Sequence, residues 1–134
     1  MADDRLEKWH KIVFERDNKL LSELLDDNVE FHSPTVWNPK EGKQITFFIL
    51  TSVIQVFQDF EYHRELVVGN DMFLEFSAKV GDKNIKGIDM IKWDDNGKIV
   101  HFEVMVRPFN GLKDLYEIMN AKVRDLMAGK VSAA

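Results

Sequence analysis

From Lys83 to Arg107 the chain reads KNIKGIDMIKWDDNGKIVHFEVMVR, and this stretch decides the fold. Two alternating runs, Lys83 to Trp93 and Lys98 to Arg107, flank the turn residues Asp94-Asp95-Asn96-Gly97, which is the pattern of a β-hairpin. Pairing Trp93 with Lys98 across that turn sets Asp89 opposite Phe102. One face then carries Ile85, Gly87, Asp89, Ile91 and Trp93 beside Val100, Phe102, Val104 and Val106. The other carries Lys86, Ile88, Met90 and Lys92 beside His101, Glu103, Met105 and Arg107. The first face is apolar except for Asp89, so it is expected to point inward. A slip of one residue would instead bring His101 and Glu103 beside Asp89, because side chains alternate with period two.

Working outward, Glu61 to Val68 and Met72 to Val80 alternate in the same way. Gly69-Asn70-Asp71 and Gly81-Asp82 separate them from their neighbours, so a four-strand antiparallel meander is expected. Upstream, Asp3 or Asp4 can cap a helix bearing Leu6, Trp9, Ile12, Val13 and Phe14, broken at Arg16-Asp17-Asn18. A short helix with Leu20, Leu21, Leu24 and Leu25 on one side follows, then a turn at Asp26-Asp27-Asn28 and a short strand from Val29 to Ser33. Pro34 and Pro39 punctuate a loop ending at Gly42, and Lys43 to Phe60 reads as a largely buried helix. After Pro108 a helical stripe of Leu112, Leu115, Tyr116, Met119, Val123 and Leu126 marks a last helix, from about Leu112 to Met127, in an appended segment 110–128. The fold class is α+β, residues 1–134 forming one domain in which helices cover the apolar face of a curved antiparallel sheet and enclose a pocket.

Bulk composition excludes several function classes. The 134 residues are 45% hydrophobic and 31% charged, an ordinary globular balance. A net charge of -5 argues against a nucleic-acid partner. The chain has no cysteine, so it has neither disulfides nor thiolate metal ligands. Met1-Ala2-Asp3-Asp4-Arg5 is acidic with no apolar core behind it, so no signal peptide is expected, and no run has the length of a membrane span. Cytoplasmic residence is the default expectation.

Asp89 is the sharpest chemical signal. Desolvation favours the protonated form of a carboxyl on an apolar inner face, and a neutral acid in a dry site can donate to a developing oxyanion or act as a general acid. The plainer alternative is a core-ordering hydrogen bond to a nearby Trp, Ser or backbone amide. Ser33, before Pro34, can hydrogen-bond a ligand or simply hold a turn. Trp9 is expected to pack with its indole nitrogen at the cavity rim, with His10 one position round the helix and facing solvent. His32, His63 and His101 fall outward by alternation, and no pair has a metal-ligand spacing such as His-Glu-x-x-His, so no metal site or cofactor is expected. Ile88, Met90 and Met105 are too apolar for a free outer face, which suggests a homodimer through it or cover by the C-terminal helix.

The order of elements resembles the nuclear-transport-factor-2-like superfamily of cystatin-like, cone-shaped folds, over about residues 4 to 107. Its members include ketosteroid isomerases, SnoaL-like polyketide cyclases, limonene epoxide hydrolases and scytalone dehydratases. The string from Ile88 to Ile99 is similar to the isomerase segment that holds an oxyanion-hole aspartate, and Asp89 falls on that acid without a gap. In ketosteroid isomerases this acid is kept neutral at pH 7 by its apolar site. Phe31-His32-Ser33-Pro34 resembles the segment with the isomerases' general base, an Asp before a proline, and that position is Ser33 here. The catalytic tyrosine of the isomerases' first helix falls on Trp9, or on His10 with one gap at Asp26-Asp27-Asn28. The epoxide hydrolases' acid on the last strand falls on Val104. Appended C-terminal helices occur in some SnoaL-like members, and the chain resembles that subgroup in this respect.

The resemblance implies a pocket for a mostly apolar, oxygen-bearing ligand of ring or polyketide type, lined by Phe31, Leu74, Phe76, Trp93, Phe102 and Val104. Asp89 would act as acid or oxyanion donor in a cofactor-free isomerase, cyclase or lyase reaction, with Ser33 and Trp9 or His10 orienting the ligand. The competing expectation is a non-catalytic carrier or dimerisation module on the same fold.

Overall fold

The computed structural model describes residues 3–129. Among these, four helices and six strands follow the order α1 (Arg5–Phe14), α2 (Asn18–Leu24), β1 (Leu25–His32), β2 (Lys40–Glu41), α3 (Lys43–Val56), β3 (Gln58–Val68), β4 (Asp71–Val80), β5 (Lys83–Trp93), β6 (Ile99–Arg107) and α4 (Phe109–Met127). The strands form one curved, open sheet in the order β2-β1-β6-β5-β4-β3. The architecture is α+β as expected, but the sheet is mixed: β3 to β6 make the antiparallel meander, whereas β1 runs parallel to β6. Nothing in the alternation of β1 alone specifies the direction of its neighbour. No helix among the described residues is long and apolar enough to cross a membrane.

The deciding hairpin closes as its turn residues require. Asp94 Oδ1 accepts from the backbone N–H groups of Asn96 and Lys98, both at 2.9 Å, and Gly97 takes φ +77. The register differs from the simple four-residue pairing. Trp93 pairs with Ile99, Lys92 with His101 and Asp89 with Val104, so Val100 is left over as a bulge. The displacement of Asp89 is two residues, from Phe102 to Val104, and an even shift preserves the faces. Ile85, Asp89, Ile91, Trp93 and Phe102 are accordingly buried, and the bulge turns Ile99 inward in place of Val100.

Two other boundaries move. The Asp26-Asp27-Asn28 segment lies within β1 as an irregularity in its pairing with β6, and Leu25 opens that strand rather than closing α2. The third helix stops at Val56, not Phe60. Phe57 is extended, Asp59 takes φ +53, and the Phe57 and Phe60 rings pack on Phe76 with centroids 5.6 and 5.0 Å away. Of the two candidate caps of helix α1, Asp4 makes no side-chain cap hydrogen bond, and Asp3 accepts from the Arg5 backbone N–H at 3.1 Å while also holding its guanidinium.

Helix α4 packs on α3 and on the inner side of the sheet, where Leu115 joins Phe76, Ala78, Val80 and Ile85. It does not cover the outer face. There Leu66, Phe73, Met90, Ile88 and Met105 adjoin through the β3–β4, β4–β5 and β5–β6 registers, with Leu66 and Met105 more than half exposed.

Gly87 sits where β5 must lie flat beneath the ring of Phe76. A Cβ there would stand 2.4 Å from the Met105 carbonyl oxygen and 2.5 Å from Phe76 Cζ. Gly87→Ala is therefore expected to cost about 1–3 kcal/mol, as overpacking of a filled core does, measured by urea denaturation.

Candidate functional site

A cavity of about 180 Å³ opens between the helices and the inner face of the sheet. Its walls are largely apolar. Trp9 and Val13 come from α1, Phe31 from β1, Ile49, Leu50 and Val53 from α3, Phe102 and Val104 from β6, and Leu112, Leu115 and Met119 from α4. Ser33, Pro34, Thr35 and Val36 edge it from the loop after β1. The C-terminal helix is thus part of the cavity wall.

Asp89 stands in this wall, and its residue is only 7% exposed. A hydrogen-bonded chain leads to it. Trp9 Nε1–H donates to Tyr62 Oη at 2.8 Å, and Tyr62 O–H donates to Asp89 Oδ2 at 2.8 Å. Asp89 Oδ1 has no hydrogen-bond partner among the described residues. Tyr62 reaches the inner face because β3 pairs it with Phe76, between two register shifts. Its ring is braced by Phe60 edge-on at 4.9 Å and by His10 stacked at 5.5 Å.

Six of the residues singled out in the sequence line the cavity: Trp9, Phe31, Ser33, Asp89, Phe102 and Val104. Four do not. Leu74 and Phe76 are wholly enclosed in the packed core, Phe76 beneath the bare backbone of Gly87. Trp93 is buried at the far end of β5 with the Arg5 guanidinium 5.8 Å from its ring centroid. His10 does not enter the cavity; it lies partly exposed to solvent, with its Nε2 2.5 Å from Glu65 Oε2 and its ring backing Tyr62. Ser33 Oγ accepts the Val36 N–H at 3.2 Å, which is the turn role. The residue the sequence reading missed is Tyr62. The only signal for it was a tyrosine in the alternating run of β3, and the bulge at Asp59 hides its face.

Burial pushes the Asp89 carboxyl up to about 7, against an ordinary value of 3.8, and the Tyr62 hydrogen bond only partly opposes this. Burial likewise raises the Tyr62 phenol well above its usual range, reinforced by the Asp89 charge and opposed by the Trp9 bond. Both protonation states of Asp89 are therefore present near neutrality. As an anion it accepts from Tyr62; as a neutral acid it can donate into the cavity. Because the folded chain holds this proton more tightly than the unfolded chain, ionisation opposes folding. Stability is unpenalised below about pH 4 and falls by about 1.4 kcal/mol per pH unit as pH rises towards 7, roughly 4 kcal/mol in all. Urea denaturation across pH 5 to 8 should show this loss in the wild type relative to Asp89→Asn. Parallel curves for the two proteins would place the Asp89 titration elsewhere.

No protein-family model matches the chain, and no curated protein matches it in sequence. Solved structures do match. A steroid delta-isomerase from Pseudomonas aeruginosa superposes with a TM-score of 0.87 at 44% identity, covering 92% of each chain. An uncharacterised bacterial protein with a cystatin-like fold from Silicibacter pomeroyi gives 0.84 at 33% identity, covering 92% of this chain and 90% of that one. An NTF2-like protein of unknown function from Cytophaga hutchinsonii, 19% identical, shares the fold with a TM-score of 0.61, covering 78% of this chain and 88% of that one. With its curved sheet, its pocket and a 44% identical isomerase relative, this chain belongs to the nuclear-transport-factor-2-like superfamily as a ketosteroid-isomerase-like member.

Proposed function

We propose that this protein binds a small, apolar, oxygen-bearing molecule of ring or polyketide type, with the ligand oxygen against Asp89, and promotes a cofactor-free isomerisation, cyclisation or elimination. The observation that carries this reading is one carboxyl, hydrogen-bonded to a phenol, in a largely apolar cavity wall. Neutral Asp89 donates its O–H to a ligand oxygen on which negative charge develops and in the limit transfers the proton to it. The aspartate left behind accepts from Tyr62 O–H, whose oxygen accepts from Trp9. Hydrogen-bond donors fixed in a dry site need little reorganisation as charge develops, which is why such sites accelerate reactions. The steroid delta-isomerase relative makes a steroid-like ring system a reasonable first probe.

Ser33 limits the chemistry. It is no base near neutral pH and its Oγ already serves the turn. Among the described residues Asp89 is the one carboxyl in the wall, so a proton taken from carbon would have to pass to Asp89 in its anionic form. That single-carboxyl arrangement also favours a second reading, a ligand carrier without turnover in which Asp89 fixes the ligand's hydroxyl or carbonyl.

The test is binding of a series of planar phenols, mimics of an enolate, to wild type and Asp89→Asn, followed by turnover of a β,γ-unsaturated ketosteroid. Affinity should rise with phenol acidity and fall about tenfold or more in Asp89→Asn, corresponding to loss of a charge-assisted hydrogen bond of about 1.4 kcal/mol. Equal affinity in the two proteins would remove Asp89 from the binding site. Binding without turnover would favour the carrier.

We also propose that a second copy of the chain covers the outer strip of Leu66, Phe73, Met90, Ile88 and Met105, and that the protein resides in the cytoplasm. Met90→Asp and Met105→Asp should each convert a dimer to a monomer in sedimentation velocity, since an unpaired charge in a buried contact is costly. A wild-type monomer would end the dimer proposal.

A further inference from the structure

On the sheet face opposite the cavity, β1 and β6 bring four polar side chains together. Their parallel pairing sets Glu30 beside His101 and His32 beside Glu103. Phe31 and Phe102 between them point into the core, so the flanking residues share the outer face. One ligand atom from each of Glu30, His32 and His101 lies within 4.8 Å of the others, and this is the metal-sized cluster found among the described residues. The two imidazoles are stacked with centroids 4.6 Å apart. His32 Nε2 lies 2.6 Å from Glu30 Oε1, and His101 Nε2 lies 3.4 Å from Glu103 Oε1.

We propose that this cluster is a binding site for a divalent transition-metal ion, best suited to zinc, held by Glu30, His32 and His101 with Glu103 or water in the fourth position. An imidazole nitrogen and a carboxylate oxygen 2.6 Å apart repel through their lone pairs unless a proton or a cation lies between them. One metal ion answers that demand for both histidines at once. Two imidazoles with a carboxylate form a ligand set that suits zinc, and its 2.0–2.1 Å bonds at tetrahedral angles space the ligand atoms roughly 3.3 Å apart. All four side chains are partly buried, with 24% to 42% of their surface exposed, which leaves the glutamates room to swing inward. The ion would clamp the parallel seam that joins β1 to the meander, away from the Asp89 pocket. This departs from the expectation of no metal site, which rested on the absence of a spacing such as His-Glu-x-x-His; the ligands here come as Glu-x-His on one strand and His-x-Glu on a distant one.

Isothermal titration of the untagged full chain with zinc chloride tests this. One ion per chain is expected, with a rise in melting temperature of at least about 5 °C at a hundredfold excess over Kd. His32→Gln and His101→Gln should each weaken binding about tenfold or more and lose that rise, while His63→Gln and Asp89→Asn keep both. Cobalt in place of zinc should give the visible bands of a tetrahedral ion, absent in His101→Gln. If zinc does not bind, or if folded His32→Gln and His101→Gln bind it as the wild type does, the four side chains are ordinary ion pairs and the proposal falls.

Discussion

The burial of one carboxyl governs the interior of this protein. Asp89 sits on a largely apolar face, and an isolated charge there would be expelled or neutralised. The chain accommodates it with a single phenol, Tyr62, which is oriented by an indole from α1 and by rings from β3 and α1. Three elements distant in sequence, α1, β3 and β5, are thus tied at one point. The solution is incomplete by design of the surroundings: one hydrogen bond does not offset the lost hydration, and the acid stays protonated up to neutral pH.

The polar groups of the cavity differ from the set that the family resemblance implies. A phenol meets the acid, but it comes from β3, and the α1 position that the family resemblance assigns to a tyrosine holds Trp9, which serves the phenol from behind. The position that the resemblance assigns to the family's base holds Ser33, whose Oγ accepts from the Val36 N–H of its own turn. What the resemblance and the structure share is the acid, Asp89, in the cavity wall. A fold alone does not determine an activity.

Curvature makes the pocket. Irregularities at Val100, within Asp26–Val29, and on both sides of Tyr62 bend the sheet around the helices. Bulges increase local twist and re-aim side chains, and each of these lies beside a residue of the cavity or its support. Helix α4 then closes one side, so the segment appended to the common core supplies Leu112, Leu115 and Met119 to the wall.

Much of this was legible in the residues. Alternation and turn chemistry in Lys83 to Arg107 settle the hairpin and the inward face, because side-chain parity survives an even change of register. That same local information places Asp89 in an apolar wall with Phe102 and Val104, and the family resemblance adds Trp9 and Phe31 to the pocket. Tertiary structure alone decided the rest. The parallel β1–β6 pairing, the exclusion of Leu74, Phe76 and Trp93 from the cavity, the phenol on Asp89 and the gathering of Glu30, His32 and His101 all depend on how distant strands meet. Periodicity reports which way a side chain points from its own strand; it carries no information about which strand lies next to it, or about where bulges shift the two against each other.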